Sequence, residues 1–228
     1  MIGSLYVVST PIGNLEDITL RAIETLKNVD CIAVEDTRIT RRLLKKYNIS
    51  NKMIPLHLKN ENYKVHDILS LMLDGSNVAL VSDAGSPCIS DPGYLLVNKA
   101  RHNNINVFTV PGPSSLVAAL SVSGLPSERF FFEGFLPKKK GRKTRIAELS
   151  ALDTTIILFE SPNRILKTLK DLRPVMGNRS ISICKELTKI NEANIFGTFD
   201  SVILKLEKDF IIKGEYVIII AKKSYNES

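Results

Sequence analysis

The sequence lacks the hydrophobic runs that membrane insertion requires. Its longest apolar stretches, such as YVIIIA at 216–221, are far shorter than the roughly 20 residues that span a bilayer. The N-terminus MIGSLYVVSTPIG has no basic segment before its apolar residues, so no signal peptide is expected. Cys31, Cys88 and Cys184 lie far apart and are expected to be reduced. These absences favour a cytoplasmic protein that has no membrane partner.

Several common ligand-binding motifs are also missing. No G-x-G-x-x-G follows the first apolar run and no G-x-x-x-x-G-K-[ST] occurs, so the usual dinucleotide and triphosphate sites are excluded. His57, His66 and His102 do not have the spacing of metal ligands, and we expect no metal site. The absence of G-x-S-x-G argues against a serine hydrolase.

Positive charge is abundant and clustered. The chain has 31 basic and 24 acidic residues, a formal net charge of +7. The segment PKKKGRKTR (137–145) carries six positive charges and no negative one, and RRLLKK (41–46) carries four more. Basic runs are often only solvated surface, but lysine-rich loops also contact phosphates. The distribution favours a polyanionic partner without requiring one.

Apolar runs alternate with helical patterns along the first half of the chain. The predicted strands are 5–9, 31–35, 53–57, 78–82 and 106–110, and the predicted helices are 18–28, 40–47, 62–75 and 93–104. Short strands separated by helices predict a mainly parallel five-stranded sheet that is covered on both faces.

The second half repeats the alternation with more aromatic residues. Predicted strands at 154–160, 180–186 and 215–223 alternate with helices that begin near 142 and at 163. We expect two α/β domains, 1–125 and 126–228, the second with a mixed sheet. Because ligands bind outside the carboxyl ends of strands, a cleft between the domains is expected to hold the site. The loops at those strand ends are STPIGNLED (9–17), EDTR (35–38), SDAGSPCISDPG (82–93), PGPSS (111–115), ESPNR (160–164) and KELTK (185–189).

Local chemistry leaves alternatives open at several of these loops. Asp83 either caps its turn or faces a ligand, whereas Asp91, which precedes Pro92, is expected to cap the next helix. Ser114 and Ser115 are natural helix caps that also suit a ligand-binding loop. The acidic residues of EDTR either accept a substrate proton or orient the neighbouring arginine through an ion pair.

The sequence closely resembles the RsmI family. The resemblance runs through nearly the whole chain, in the segments LYVVSTPIGNLEDITLRAIETLKNVDCIAVEDTRITRRLLKKYNI, ALVSDAGSPCISDPG, VPGPSS, FFFEGFLPKKKGRK, FESPNR and KELTK. It implies a 16S rRNA (cytidine 2'-O)-methyltransferase of the tetrapyrrole methylase (class III) superfamily. It further implies two α/β domains with S-adenosyl-L-methionine in the cleft between them, a homodimer, and a decoding-centre cytidine of the 30S ribosomal subunit as the acceptor.

The sequence departs from that family in one respect. Many members continue into a further C-terminal helical segment, and this sequence ends about where that segment would begin. RNA contacts made by that segment elsewhere would then come from the basic loops, or be weaker.

The resemblance also implies roles for individual residues. Those expected at the cofactor are Pro11, Asp83, Ala84, Gly85, Ser86, Ser114, Ser115, Phe159, Leu187 and Gly214. Candidates for the base or for orienting groups are Glu35, Asp36, Glu160, Lys185 and Glu186, together with Lys189. Candidates for RNA contact are Arg38, Lys138, Lys139, Lys140, Arg142, Lys143, Arg145 and Arg164. For Phe159 and Leu187 the alternative role is core packing.

Two other functions remain open. A porphyrinoid methyltransferase of the same superfamily would share the fold and the cofactor, but its acidic substrate would not need KKKGRK beside the cleft. A non-catalytic RNA-binding protein with this fold would not need the near-complete set of loop motifs.

Overall fold

The fold is described from a computed structural model of the chain, for residues 1–209 and 213–225. The chain forms two compact units, Met1–Ser114 and Ser115–Ser228. This division precedes the expected boundary at 125/126, since the helix that begins at Ser115 packs against the last strand of the second unit. No helix within these described ranges is long and apolar enough to cross a membrane.

The first unit contains the predicted parallel sheet. Its elements are β1 (Ser4–Val8), α1 (Leu20–Asn28), β2 (Cys31–Val34), α2 (Thr37–Lys46), β3 (Lys52–Pro55), α3 (Glu61–Leu73), β4 (Val78–Val81), α4 (Tyr94–His102) and β5 (Asn106–Val110). The strand order is β3-β2-β4-β1-β5, and every neighbouring pair is parallel. Helices α1 and α2 pack on one face and α3 and α4 on the other, which confirms the two-sided cover.

The second unit contains the predicted mixed sheet. Its elements are α5 (Ser115–Val122), β6 (Phe130–Phe135), α6 (Arg142–Ser150), β7 (Thr155–Glu160), α7 (Ile165–Met176), β8 (Ser180–Lys185), β9 (Ala193–Thr198), α8 (Phe199–Asp209) and β10 (Tyr216–Ile220). The strand order is β6-β7-β10-β8-β9, and only β6 and β7 run parallel. Helices α6, α7 and α8 share one apolar core with this sheet.

The differences from the predicted elements have clear causes. Strands β6 and β9 were not predicted because both lie at sheet edges and bury a single residue each, Gly134 and Ile195, which leaves no apolar alternation to detect. Helix α2 begins at Thr37 rather than at 40 because the Asp36 carboxylate accepts the Arg38 N–H at 2.8 Å. An N-cap of this kind satisfies a backbone donor that the helix leaves free.

The start of α4 is capped from α3. The buried Glu61 Oε1 accepts the N–H of Gly93 at 2.8 Å and that of Leu95 at 3.3 Å. The expectation that Asp91 caps this helix is therefore wrong; Gly93 is the N-cap residue, and Asp91 instead hydrogen-bonds with Ser82. A carboxylate distant in sequence thus fixes the end of the loop 82–93.

Glu61→Ala should lower the free energy of unfolding by about 2–3 kcal/mol, since it leaves buried N–H groups without a charged acceptor. Urea unfolding followed by circular dichroism measures this change. Glu24→Ala is the control: the exposed Glu24 side chain forms a surface ion pair with Lys27, and its removal should cost less than about 0.5 kcal/mol. Equal effects of the two substitutions would contradict the capping role.

Candidate functional site

Two loops are joined at the carboxyl edge of the parallel sheet. The Thr10 N–H donates to the Gly85 carbonyl at 2.8 Å, and the Gly85 N–H donates to the Thr10 carbonyl at 3.0 Å. The Thr10 hydroxyl also donates to the Ser82 carbonyl at 3.1 Å. Thr10, Gly85 and Ser82 are all buried. The loops after β1 and β4, which contain predicted cofactor residues, are therefore fixed to each other.

The loop after β5 joins the same edge through a serine. The Ser86 hydroxyl lies 2.9 Å from the Ser9 hydroxyl and 3.4 Å from the Pro113 carbonyl, to which it donates. Ser114 follows directly and is half-buried, and Ser115 is the first residue of α5. Three of the predicted cofactor loops thus form one connected structure within the first unit.

Asp83 connects this edge to the loop after β2. Its Oδ1 accepts the Asp36 N–H at 2.9 Å, and its own N–H donates to Glu35 Oε2 at 3.3 Å. Its Oδ2 has no protein partner in the described part of the chain. Asp83 therefore caps a neighbouring loop rather than its own turn and keeps one oxygen available to a ligand. The adjacent Ala84 is exposed and Pro11 is buried.

The loop from Asp83 to α4 has an unusual backbone. Gly85 has φ +81°, and the non-glycine residues Cys88 and Ser90 have φ +70° and +65°. L-residues rarely adopt this region, and such strain persists only where the surroundings enforce it. A Cβ on Gly85 would also lie 3.3 Å from Ile12 Cγ2. The positive φ of Gly85 and this close contact explain why residue 85 is a glycine.

Three carboxylates influence one another at this edge. Burial raises the pKa of Asp83, and the negative charge of Glu35 raises it further. Burial and Glu35 raise the pKa of Asp91 to about 6, against an opposing hydrogen bond with Ser82. Asp91 consequently exchanges its proton much closer to neutral pH than an ordinary aspartate does.

The ion pair considered within EDTR is present. Arg38 Nη2 lies 2.6 Å from Asp36 Oδ2, and Arg38 Nε also donates to this carboxylate. The hydrogen bonds from Arg38 lower the pKa of Asp36 to about 2, which makes Asp36 a weak base. The guanidinium of Arg38 is oriented by this pair and remains exposed to solvent.

In the second unit, the loop after β8 packs around Gly214. This residue has φ +88°, and a Cβ there would lie 2.4 Å from Glu186 Cδ, so any side chain would displace Glu186. Glu186 Oε1 accepts from the Glu215 N–H and from Lys189 Nζ, each at 2.9 Å. Burial opposes the charged form of Glu186, but these bonds outweigh it and lower its pKa. Burial lowers the pKa of Lys189, but hydrogen bonds to the Glu215 and Glu186 carboxylates outweigh it and raise that pKa. Neither Glu186 nor Lys189 is therefore a good base.

Two predicted cofactor residues of this unit are apolar. The Phe159 ring on β7 makes edge contacts with Phe132 and Phe135, with centroids 5.0 and 5.7 Å away. Phe159 is half-buried, and Leu187, in the loop after β8, is 9% exposed. Lys185, the last residue of β8, is also half-buried. The packing role considered for Phe159 is thus realised in part, and one side of the ring is covered by its own unit.

Glu160 is enclosed rather than open to a substrate. It is 2% exposed, and its Oε2 accepts from the Thr168 hydroxyl at 2.6 Å. Its Oε1 accepts from the Ser161 N–H at 2.8 Å and lies 3.3 Å from Arg164 Nε. Both oxygens are engaged, so Glu160 holds the loop after β7 in place and orients Arg164.

Arg142 extends this buried network. Its Nη2 donates to the Thr168 hydroxyl at 2.8 Å, its Nε to Asp171 at 2.9 Å and its Nη1 to the Pro137 carbonyl at 3.2 Å. The residue is 7% exposed, and every guanidinium nitrogen is engaged inside the unit. The structure therefore places Arg142 in a structural role, away from the solvent where a phosphate would bind.

The other cations of the segment 137–145 are either paired with carboxylates of the same unit or exposed to solvent. Arg145 donates to Glu133 and Glu148 and lies over the Phe131 ring. The exposed cations of the segment, which make no ion pair with the described residues, are Lys138, Lys139, Lys140 and Lys143. Of the cations in this segment, these four lysines are the ones that the described residues leave free to meet an external anion.

Sequence reasoning missed two features of this site, the Thr10–Gly85 bridge and the raised pKa of Asp91. The only feature of the sequence that points to Thr10, Gly85 and Asp91 is their position in loops that follow buried strands. Within residues 1–209 and 213–225, no three histidine, cysteine or carboxylate side chains are grouped so that they could hold a metal ion.

Comparison with known proteins identifies close relatives. A family described as Tetrapyrrole (Corrin/Porphyrin) Methylases matches residues 4–203. Proteins named ribosomal RNA small subunit methyltransferase I are similar over nearly the whole chain. The one from Thermotoga maritima is 44% identical over 97% of this chain and 99% of its own length, and the one from Hydrogenobaculum sp. is 46% identical over 98% and 99%. The one from Rickettsia prowazekii is 48% identical over 96% of this chain but only 78% of its own length. Some relatives are thus about as long as this chain, and others are longer.

Solved structures share the fold at low sequence identity. A diphthine synthase has a TM-score of 0.73 at 14% identity and covers 95% of this chain and 89% of its own. A uroporphyrin-III C-methyltransferase from Thermus thermophilus, complexed with S-adenosylhomocysteine, has a TM-score of 0.66 at 18% identity and covers 97% and 98%.

Asp91→Asn should stabilise the protein at pH 7 by about 1–2 kcal/mol, after discounting for solvent screening. Since the folded pKa lies above the unfolded one, Asp91 binds its proton more tightly in the folded state. The wild type therefore loses stability as the pH rises from about 4 through about 6, and the variant does not.

Urea midpoints of both proteins between pH 4 and pH 7 measure this difference. The advantage of Asp91→Asn should vanish near pH 4. An advantage that is the same at every pH would show that the pKa of Asp91 is not raised.

Proposed function

The chain belongs to the tetrapyrrole methylase family and, within it, to the ribosomal RNA small subunit methyltransferases I; from this membership we propose that it methylates the ribose 2'-hydroxyl of a decoding-centre cytidine in 16S rRNA. It is a methyltransferase, and S-adenosylmethionine is its methyl donor. The near-full-length identity of 44% to a protein of that name carries the proposal. The 30S subunit as substrate, a homodimer and a cytoplasmic location are further parts of the same proposal.

The carboxyl edge of the parallel sheet suits the cofactor. Asp83 has a free carboxylate oxygen there, and Gly85 brings the backbone close without a side chain. Because the Thr10–Gly85 bridge fixes these loops before the ligand arrives, little conformational entropy is lost on binding. Ala84, Ser86, Pro11 and Ser114 lie on or beside the same connected loops.

In the second unit, we assign the adenosine moiety to the region of Phe159, Leu187 and Gly214. Phe159 offers an aromatic ring, and Gly214 and Glu186 shape the adjacent loop. Bound S-adenosylmethionine supplies an electrophilic methyl group on a sulfonium. The protein must then hold the acceptor oxygen in line with that group, which makes positioning the main contribution of these residues.

The acceptor hydroxyl must also lose a proton. Asp36 is held by Arg38, Glu186 by Lys189, and Glu160 is enclosed, so these three are poor acceptors. Of the carboxylates at the Asp83 edge, Glu35 and Asp91 remain as the proposed proton acceptor. Asp91 is favoured because a base with a pKa of about 6 is matched to catalysis near neutral pH.

The exposed lysines Lys138, Lys139, Lys140 and Lys143 are proposed to contact RNA phosphates. They form no ion pair with the residues that the structure describes, and a loop dense in such charges binds nucleic acid mainly through counterion release. A porphyrinoid substrate is less well supported, since the likeness to uroporphyrin-III C-methyltransferase shows the fold alone. Arg38 and Arg164, each oriented by a carboxylate, remain proposed phosphate partners.

Asp83→Asn should weaken S-adenosylmethionine binding at least about tenfold, since it removes a charged acceptor from the proposed site. Isothermal titration calorimetry measures the affinity. The control is Asp74→Asn. Asp74 is exposed and follows the C-terminal end of α3, and this variant should bind S-adenosylmethionine as the wild type does. Wild-type affinity in Asp83→Asn would leave Asp83 only its loop-capping role.

Tritiated methyl transfer to 30S subunits from a strain lacking this gene tests the reaction itself. We expect label on the ribose of one cytidine, located by nuclease mapping, and none on uroporphyrinogen. Labelling of a different 30S nucleotide would keep the enzyme class and refute the assigned acceptor. Labelling of uroporphyrinogen alone would refute an RNA substrate.

A further inference from the structure

Helix α2 in the first unit carries a face of positive charge. Its exposed cations are Arg38, Arg41, Arg42, Lys45 and Lys46. At 100° per residue they fall within an arc of about 140°. The opposite face, with Thr40, Leu43 and Leu44, is buried in the core of the unit. The basic side chains therefore have a fixed direction, toward solvent.

The charges on this face are not compensated. The helix itself contains no acidic residue, and Asp36 at its N-cap pairs with Arg38 only. Arg41, Arg42, Lys45 and Lys46 form no ion pair with any residue in 1–209 or 213–225. Two other helices pair a cation internally: α1 contains the pair Lys27–Glu24 and α7 the pair Lys167–Asp171.

Helix stability does not account for this arrangement. Lys45 and Lys46 in the last turn are favoured by the helix dipole, but Arg38 and Arg41 lie toward the N-terminus, where positive charge is unfavourable. Arg38 and Arg42, Arg41 and Lys45, and Arg42 and Lys46 are also like-charge pairs at i,i+4, and each destabilises the helix. An arrangement that costs stability and is repeated three times points to an external anion.

We infer that the cationic face of α2 binds the sugar–phosphate backbone of the rRNA substrate; this inference rests on the proposed function and adds a second contact surface to it. The N-cap residue of the helix is Asp36, whose N–H donates to Asp83, so the face starts at the proposed cofactor edge. From Arg38 to Lys46 it extends about 12 Å along the axis, enough for more than one phosphate.

RNA fits this face better than an anionic membrane does. Helices that lie on membranes insert large apolar side chains beside their cations. The exposed large apolar side chain of α2 is Ile39, at 41% exposure, while Leu43 and Leu44 are committed to the core. Arginine in particular suits phosphates, which its planar fork can bind through two hydrogen bonds.

The test is a variant with Arg41, Arg42, Lys45 and Lys46 all replaced by glutamine, which keeps helix propensity and removes four charges. Binding to 30S subunits is measured by filter retention over a range of salt concentrations. We expect Kd to rise at least about tenfold near physiological salt and the slope of log K against log salt to fall by about 2 or more. The affinity for S-adenosylmethionine should not change.

The matched control replaces Lys99, Arg101, Lys205 and Lys208 by glutamine. These residues are exposed and lie on α4 and α8. Their substitution removes four positive charges, as many as the α2 variant loses. A smaller loss of RNA affinity in the control than in the α2 variant supports the inference. Equal losses would overturn it, because only net charge would then matter.

The outcomes separate this inference from the proposed function. A wild type that binds 30S subunits through α2 but transfers no methyl group refutes the proposed function only. A wild type that methylates 30S subunits while the α2 variant binds them equally well refutes the inference only. Binding of the wild type to phosphatidylserine vesicles that is as tight as its binding to 30S subunits, and is lost in the α2 variant, refutes RNA as the partner.

Discussion

The short pairing between Thr10 and Gly85 is the contact on which the rest of the proposed site depends. Two neighbouring parallel strands end side by side, and their loops would otherwise diverge toward different helices. The reciprocal backbone bonds form an isolated antiparallel bridge just beyond the ends of the two parallel strands and hold the loops together there. Asp83 lies two residues before this bridge and Ser86 one residue after it, so their positions follow from it. The strained residues Cys88 and Ser90 are tolerated because the loop is held at the bridge and, through Glu61, at the start of α4.

Much of the architecture was predictable because burial repeats along the chain. Strands buried on all sides, such as β2 and β4, read as short apolar runs, and both sheets could be predicted. Strands β6 and β9 were not predicted because a single buried residue in each, Gly134 or Ile195, leaves no pattern. The cap of α4 escaped for another reason: Glu61 and Gly93 are far apart in sequence, and only the fold makes them neighbours.

The candidate site was predictable in location but not in chemistry. Loops at strand ends identified Asp83 and Gly85 as residues of one edge. Charge alone did not distinguish Arg142 from Lys143, since both lie in the same basic run. The difference is one of burial: residue 142 faces the core between α6 and α7, and residue 143 faces solvent. Arginine suits the interior position because its fork satisfies several acceptors at once, whereas lysine remains hydrated at the surface.

The buried network of Arg142, Thr168, Asp171 and Glu160 ties the amino ends of α6 and α7 to the end of β7. Such a network loses more from the removal of one partner than from the replacement of the whole, because the polar groups left behind lose their partners in a largely buried place. These four positions are therefore expected to covary among homologues, changing together or not at all. Their coupling would constrain sequence divergence in the second unit independently of any selection for catalysis.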